Sequence, residues 1–181
     1  MKKSEVMKAI LYSFGAAGIV VIAIAVPNAA IAFQGLHKSL GKYEKNQFCR
    51  SFNYLKRKKI VGIGKDGDRT IIKLLDKGKE RVIKFRLEDL KLTPQKKWDE
   101  KFRLVFFDIP EKYRYSRQIF TSKLREIGFL PIQKSAWICP HPCDDEIEFL
   151  VSIYEIRPFV RIVTFSSREI ERYWQEKFKL I

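Results

Sequence analysis

The first half of the chain opens on a long apolar run and continues into a basic amphipathic pattern. Residues 9–33 are nearly all apolar. In residues 44–59, Phe48, Phe52 and Leu55 recur at i, i+4 and i+7, which is the spacing of a single apolar helix face. The pattern predicts apolar helices that are followed by a basic helix with one buried stripe.

A β-hairpin is predicted directly after the basic helix. Residues 60–64 and 69–75 are short runs rich in branched residues, and residues 65–68 between them contain Asp-Gly, which supplies the positive φ of a tight turn. A short amphipathic element is expected over residues 81–85. Two helices, a basic helix and a hairpin are the order of a winged helix-turn-helix, whose third helix enters the major groove.

The second half of the chain has a different order of predicted elements. Strand patterns alternate with two amphipathic helices, and residues 108–110 end the first strand at a proline. The order is βαββαβ, the ferredoxin-like split unit, followed by a helix over residues 168–178. The fold class is therefore predicted to be α+β. The predicted strands are 102–107, 129–133, 135–139 and 159–165, and the predicted helices are 113–127 and 144–156.

Charge separates the two halves. Residues 1–97 hold 22 basic and 8 acidic side chains, whereas residues 98–181 hold 14 basic and 13 acidic side chains. The net charge of the whole chain is +15. An excess of this size indicates a polyanionic partner, either nucleic acid or an anionic membrane surface. The predicted organisation is a winged-helix domain with an apolar N-terminal segment over 1–91, a linker over 92–101 and a ferredoxin-like domain over 102–181.

The side of the basic helix that faces away from its apolar stripe carries amide and guanidinium groups. Such groups hydrogen-bond adenine and guanine edges in the major groove, and neighbouring lysines contact phosphates. A solvated basic helix face is the common alternative, and the hairpin after the helix favours DNA. The predicted DNA contacts are Asn46, Arg50, Asn53, Tyr54, Arg57 and Lys58 on the helix and Lys65 and Arg69 on the hairpin.

The apolar start admits three interpretations. It is long enough for a membrane span, and the small-residue pattern at residues 30–32 after a basic start imitates a secretory signal. The break at Pro27 favours two core helices instead, and the stripe of the basic helix needs such helices to pack against. We expect residues 1–40 to be retained and buried, with no stable membrane association and a cytoplasmic location; a membrane-anchored basic protein is the alternative.

The cysteines indicate neither a disulfide framework nor a metal site. Three cysteines are too few for a disulfide framework, which favours a reducing compartment. Cys139, His141 and Cys143 could supply three zinc ligands, but the motif has no second cysteine pair and two prolines stiffen it. A structural turn is favoured over zinc, and no cofactor is expected.

Four segments of the second half resemble the PaaX-type transcriptional regulators. They are WDEKFRLVFFDIPE at 98–111, Gly-Phe at 128–129, QKSAWICP at 133–140 and DDEIEF at 144–149. The resemblance extends over about residues 40–165. It implies a repressor in which a winged helix precedes a domain similar to the small ferredoxin-like CRISPR-associated nuclease. PaaX proteins carry a further C-terminal region after that domain, whereas this sequence stops soon after it. We therefore do not expect a site for a coenzyme A thioester effector here.

The resemblance also implies a candidate metal site. In the CRISPR-associated nucleases an aspartate at the end of the first strand faces its dimer mate, and the pair can hold a divalent metal. Asp108 matches that position, so Mg²⁺ could bind there and polarise a phosphodiester. The favoured alternative is structural: Asp108 caps the following turn or pairs with an arginine. Enzymatic activity is accordingly not expected.

The function that these features favour is specific binding of double-stranded DNA by a dimeric transcriptional repressor. The sheet of the second domain would expose a face and edges that invite pairing, and a two-fold dimer suits palindromic half-sites. The first alternative is a metal-dependent CRISPR-associated nuclease or spacer-integration subunit with a fused winged helix. The second is the membrane-anchored basic protein.

Overall fold

The described residues form two compact units of mixed α+β structure. They divide into Met1–Asp89 and Leu90–Ile181. Helices accompany two antiparallel sheets, one in each unit, which confirms the predicted α+β class. The computed structural model describes residues 3–15, 34, 37–38, 40–41, 43–67, 69–166 and 168–180.

The first unit contains the predicted basic helix and hairpin. The first hairpin strand extends two residues further towards the turn than predicted, because Asp66 pairs with Arg69, whereas the second begins at residue 69 as predicted. Gly67 has a φ of 57°, the left-handed conformation that the Asp-Gly signal predicts. The elements are α1 (Lys3–Gly15), α2 (Lys45–Arg57), β1 (Val61–Asp66), β2 (Arg69–Leu74) and α3 (Asp76–Asp89).

The apolar stripe of α2 lies at the centre of the first unit's core. Phe48, Phe52 and Leu55 are at most 2% exposed. They share one buried cluster with Ile10 and Phe14 of α1, so an N-terminal helix covers the stripe as predicted. Pro27, the expected start of a second helix, lies outside the described residues.

Helix α3 is longer than the sequence pattern predicts. Only residues 81–85 were expected to form an element, but the helix begins at Asp76. Gly78 imitates a loop signal, and its actual role is close packing. A Cβ at this position would lie 2.2 Å from the carbonyl oxygen of Ile60. The missing side chain therefore lets the first turn of α3 approach the backbone just beyond α2.

The far end of α3 is fastened to α1 by polar contacts. The Asp89 carboxylate forms an ion pair with the Lys8 ammonium group and accepts a 2.7 Å hydrogen bond from the Tyr12 hydroxyl. Burial and the contact with Asp89 raise the pKa of Tyr12 above its usual value, so the hydroxyl remains a donor at neutral pH. Helix α3 is thus held near both of its ends.

The second unit follows the predicted βαββαβ order. Its elements are β3 (Phe102–Phe107), α4 (Arg114–Glu126) after a 3₁₀ turn (Glu111–Tyr113), β4 (Leu130–Gln133), β5 (Ala136–Cys139), α5 (Asp144–Ile153), a second 3₁₀ turn (Arg157–Phe159), β6 (Val160–Phe165) and α6 (Arg168–Phe178). The sheet has the strand order β4-β5-β3-β6, and every neighbouring pair is antiparallel. Helix α5 ends three residues before the predicted end at residue 156.

The two faces of this sheet differ. On one face Phe107 packs edge-on against Phe120 of α4, with ring centroids 5.5 Å apart. On the other face Phe102 is covered by Phe178 of α6. Farther along that face, Phe106 and Val163 remain 40% and 45% exposed. Helix α6 therefore covers only part of the second face.

The segment expected to be a linker contains no helix or strand, yet its end is tied to the second unit. Asp99 forms an ion pair with Arg103, which is 7% exposed and also donates to the carbonyl oxygen of Pro140. The Arg103 hydrogen bonds lower the pKa of Asp99 from 3.8 to about 2. Arg103 is therefore a buried cation whose charge is compensated by the carboxylate of Asp99.

The structure bears on the membrane question only in part. Among the described residues, no helix is both long and apolar enough to cross a membrane. Residues 16–33 of the apolar run, which include the small-residue pattern at 30–32, lie outside the described residues.

Replacing Gly78 tests the close approach of α3. Alanine favours a helix over glycine by up to about 1 kcal/mol, but the contact with the Ile60 oxygen forces the backbones apart. We expect Gly78→Ala to lower the free energy of unfolding by about 1–3 kcal/mol, measured by urea denaturation. Gly64→Ala is the matched control, because nothing lies within 4 Å of a Cβ there. Equal stability of both variants would contradict the packing role.

Replacing Asp99 tests the ion pair with Arg103. The folded pKa of about 2 lies below the ordinary 3.8, so the pair stabilises the fold above pH 4 and this contribution is lost as the pH falls towards 2. Asp99 is a third exposed, which screens the pair, and we expect Asp99→Ala to cost about 2 kcal/mol at pH 7. Denaturation curves at pH 7 and pH 3 should differ less for this variant than for the wild type.

The exposed Lys97→Ala change serves as the control for Asp99→Ala and should leave stability within about 0.5 kcal/mol of the wild type. A variant at Asp99 whose stability keeps the full pH dependence of the wild type would show that another carboxylate is responsible.

Candidate nucleic-acid interface

The exposed face of α2 presents the side chains that the sequence predicts for base contacts. Asn46, Arg50, Asn53 and Arg57 are all exposed, whereas the stripe on the opposite side of the helix is buried. These four residues recur at intervals of three and four, so they follow one line along the helix. The amide and guanidinium groups therefore form one continuous polar face, which we call the α2 face.

The flank of the α2 face carries two further predicted residues. Tyr54 is half-buried, and the Arg57 guanidinium carbon lies 5.9 Å from the centre of its ring. Lys58 is exposed at the C-terminal cap of the helix. Tyr54 and Lys58 thus widen the polar face towards one side.

The end of α2 has a defined geometry. Lys59 adopts a φ of 54°, and the amide of Ile60 then donates a 2.9 Å hydrogen bond to the carbonyl oxygen of Leu55. This left-handed residue turns the chain back, so Ile60 enters the core while the preceding lysines stay in solvent. Lys56 and Arg57 in the last turn also suit the negative end of the helix dipole.

The cations of the α2 face are not neutralised within the described part of the chain. Arg50, Arg57 and Lys58 form no ion pair there. Uncompensated guanidinium and ammonium groups on one face attract a polyanion. The arrangement can therefore hydrogen-bond base edges and contact phosphates at the same time.

The two hairpin residues of the prediction lie in the strands next to the turn. Arg69 pairs with Asp66 and Lys65 pairs with Thr70 in the β1–β2 register. The structure therefore places their backbones near the tip of the hairpin, and their side chains lie outside the described part.

A second basic surface beside α2 was missed by the sequence analysis. A hollow of about 540 Å³ separates the end of α2 from α3. The missed cations are Lys77, Arg81 and Lys84, whose i, i+4, i+7 spacing is itself a helical signal. The signal was hidden because the element was expected to begin only at residue 81. The residues that line the hollow are Tyr54, Lys58, Ile60, Lys77, Glu80, Arg81 and Lys84.

Asp108 lies just after β3, with its side chain in solvent. Among the described residues, Asp108 has neither of the two expected structural contacts. The following 3₁₀ turn has no side-chain cap, and Arg117 instead contacts Glu111 and the Ile109 carbonyl oxygen. The Asp108 backbone amide donates to the carbonyl oxygen of Phe159, which fixes the position of the residue.

The surroundings of Asp108 fit Mg²⁺ poorly within one chain. Hollows of about 530 and 430 Å³ meet at this residue, and Arg117, Lys134 and Arg161 are among the residues that line them. Among the described residues, no group of three or more His, Cys, Asp and Glu side chains is placed to hold a metal ion. Because Mg²⁺ prefers several oxygen ligands, a single carboxylate beside cations is insufficient. A second copy of the chain would have to supply a further carboxylate.

The cysteine loop at the end of β5 has the contacts of a turn. The Cys139 thiol donates to the carbonyl oxygen of His141, and Cys143 is the N-cap residue of α5. A hydrogen bond with Cys139 and burial raise the pKa of the Cys143 thiol far above its usual range. No group of three or more His, Cys, Asp and Glu side chains in the described part of the chain is placed to hold a metal ion, and this includes the side chains of this loop.

Comparison with known families assigns part of this chain. Residues 95–176 match the family described as the PaaX protein central Cas2-like domain, a range that contains the whole four-stranded sheet. Among curated proteins, none matches the chain. The match confirms the resemblance carried by the motifs of residues 98–149. Residues 95–176 of this protein are therefore similar to the central Cas2-like domain of the PaaX family.

Proposed function

We propose that this protein is a DNA-binding transcriptional regulator of the PaaX type, in which a winged helix contacts the duplex and a ferredoxin-like domain holds two copies together. The observation that carries the proposal is the α2 face, with its exposed asparagines and arginines opposite a fully buried stripe. The family match of the second unit supports the regulator assignment.

The winged-helix assignment rests on the order of elements in the first unit. Helix α1 packs on α2, and an antiparallel hairpin begins only three residues after α2. A recognition helix followed at once by a hairpin is the arrangement in which the helix enters the major groove and the wing lies along the backbone. The α2 face is then directed at base edges, and the tip of β1–β2 at phosphates.

The dimensions of α2 suit this role. An α-helix with its side chains is about 10–12 Å wide, and the major groove of B-DNA is about 12 Å wide. Arg50 and Arg57 lie seven residues apart, or about 10 Å along the axis at 1.5 Å per residue, so they contact bases about three steps apart. Asn46 and Asn53 have the amide groups that pair with adenine.

The ferredoxin-like assignment rests on the sheet of the second unit. Its strand order β4-β5-β3-β6, with a helix after the first and third strands in chain order, is that of a split βαβ unit. We infer that the exposed part of its second face supports dimerisation. Phe106 and Val163 are exposed there beside Leu104, and an apolar surface of this kind favours a partner. A two-fold dimer would present two α2 faces to a palindromic site.

Replacing the two arginines of the α2 face tests the proposal. We expect Arg50→Ala and Arg57→Ala each to weaken binding to a selected duplex by about 1–3 kcal/mol, or roughly 5- to 150-fold, because each loses a bidentate contact with a base. Fluorescence anisotropy of the full chain with a labelled 30-base-pair duplex measures the change.

The control for these two changes is Lys101→Ala, an exposed cation of the second unit, which should alter affinity by less than threefold. Unchanged duplex affinity after both arginines are replaced together would exclude α2 as the DNA-contacting helix.

Metal-dependent cleavage of nucleic acid is the second candidate function. The observation that favours it is the exposed carboxylate of Asp108, which has no partner among the described residues. The regulator proposal predicts no cleavage of single- or double-stranded DNA or RNA in Mg²⁺ or Mn²⁺, and the same duplex affinity for the wild type and Asp108→Asn. Gel assays with Asp145→Asn, another exposed aspartate, provide the control. Cleavage that depends on metal and disappears only in Asp108→Asn would establish the nuclease instead.

A further inference from the structure

The hollow between α2 and α3 is a strongly basic concave surface. We call this hollow, with its lining residues from Tyr54 to Lys84, the α3 groove. Lys58, Lys77, Arg81 and Lys84 contribute four positive charges, and Glu80 contributes one negative charge. The groove has a volume of about 540 Å³.

Among the described residues of the first unit, no acidic side chain forms an ion pair with these cations. Within the described part of the chain, Lys58, Lys77, Arg81 and Lys84 form no ion pair. The nearby Asp76 pairs with Lys79, which does not line the groove. Four like charges around one hollow repel each other, and an anion in the hollow relieves that repulsion.

The groove has rigid walls. The contact of Gly78 with the Ile60 backbone fixes the first turn of α3 against the end of α2. Val82 is buried in the core cluster, and Asp89 binds α1 at the other end of the helix. The three cations of α3 are therefore presented on one face of a helix whose position is fixed.

The groove is continuous with the α2 face. Tyr54 and Lys58 belong to both surfaces, since they lie on the flank of α2 between its exposed and buried sides. A helix that occupies the major groove has a phosphate backbone along each flank, because its width nearly equals that of the groove. The cations of α3 would extend the contact surface on one of those flanks.

We propose that the α3 groove binds the phosphodiester backbone of the same duplex that α2 enters, and so acts as a second, sequence-independent clamp. The inference rests on the proposed DNA-binding function. It predicts a division of labour: the α2 face discriminates between sequences, and Lys77, Arg81 and Lys84 supply affinity that depends on salt.

The test compares two triple variants of the full chain. Lys77→Gln/Arg81→Gln/Lys84→Gln removes the cations of α3, and Lys91→Gln/Lys96→Gln/Lys97→Gln removes the same charge from exposed residues outside the groove. Circular dichroism and thermal melting establish that both variants fold. Affinities for a selected duplex and for an unrelated duplex are then measured between 50 and 200 mM KCl, that is, over roughly the range in which counterion release is usually followed.

For the groove variant we expect affinity at about 100 mM salt to fall roughly tenfold or more, and the slope of log K against log salt to become shallower by about 2–3, or about 0.9 for each lost phosphate contact. The loss should be equal for both duplexes, so their affinity ratio stays unchanged. The control variant should retain most of the wild-type slope.

The outcomes separate this inference from the function on which it rests. An unchanged slope in the groove variant, with binding through Arg50 and Arg57 intact, would overturn the clamp and leave the regulator proposal standing. An equal loss in both variants, or a changed affinity ratio between duplexes, would also overturn it. A wild-type protein that binds neither duplex would overturn both. Pyrophosphate that binds the wild type but not the groove variant, and that leaves duplex affinity unchanged at constant ionic strength, would assign the groove to a free phosphate ligand instead.

Discussion

Burial of the apolar stripe of α2 against α1 is the constraint on which the rest of the first unit depends. Phe48, Phe52 and Leu55 are almost completely inaccessible to solvent. Truncating one such phenylalanine typically costs about 3–5 kcal/mol, a large part of the 5–15 kcal/mol that stabilises a domain of this kind. Because the stripe fixes the rotation of α2 about its axis, the asparagines and arginines on the opposite side must face solvent. The chemistry of the α2 face is therefore a consequence of packing.

The two units differ in the charge and polarity of their surfaces. The first holds most of the net positive charge of the chain, and six of its cations lie on the α2 face or in the α3 groove. The second holds 17 basic and 13 acidic side chains and exposes an apolar part of its sheet around Phe106 and Val163. A basic surface suits a polyanion, and an exposed apolar sheet face suits a protein partner. This separation agrees with a regulator in which one unit contacts DNA and the other one, of the Cas2-like type, brings two copies together.

Local patterns in the sequence predicted the elements but not the contacts that position them. The spacing of Phe48, Phe52 and Leu55 was sufficient for α2, and alternating strand and helix patterns were sufficient for the βαββαβ order. The start of α3 was missed because glycine by itself disfavours a helix. A glycine is needed at position 78 because the helix packs against the backbone of Ile60, 18 residues earlier. Lys77, Arg81 and Lys84, the groove cations that α3 carries, were missed for the same reason. The place of Asp108 at the end of the first strand of the second unit was predicted correctly. Its lack of a partner among the described residues follows from the ion pair between Arg117 and Glu111, which no local sequence pattern predicts.

Dimethyl sulfate probing tests most directly whether α2 enters the major groove. This reagent modifies guanine N7 in the major groove and adenine N3 in the minor groove, so one lane reports on both. The measurement uses the full chain on a duplex selected from a random library. The account predicts protection of guanine N7 at two or more positions in each half-site, with adenine N3 in the same half-site still reactive. Reactive N7 positions throughout a footprint whose adenine N3 positions are protected would contradict it.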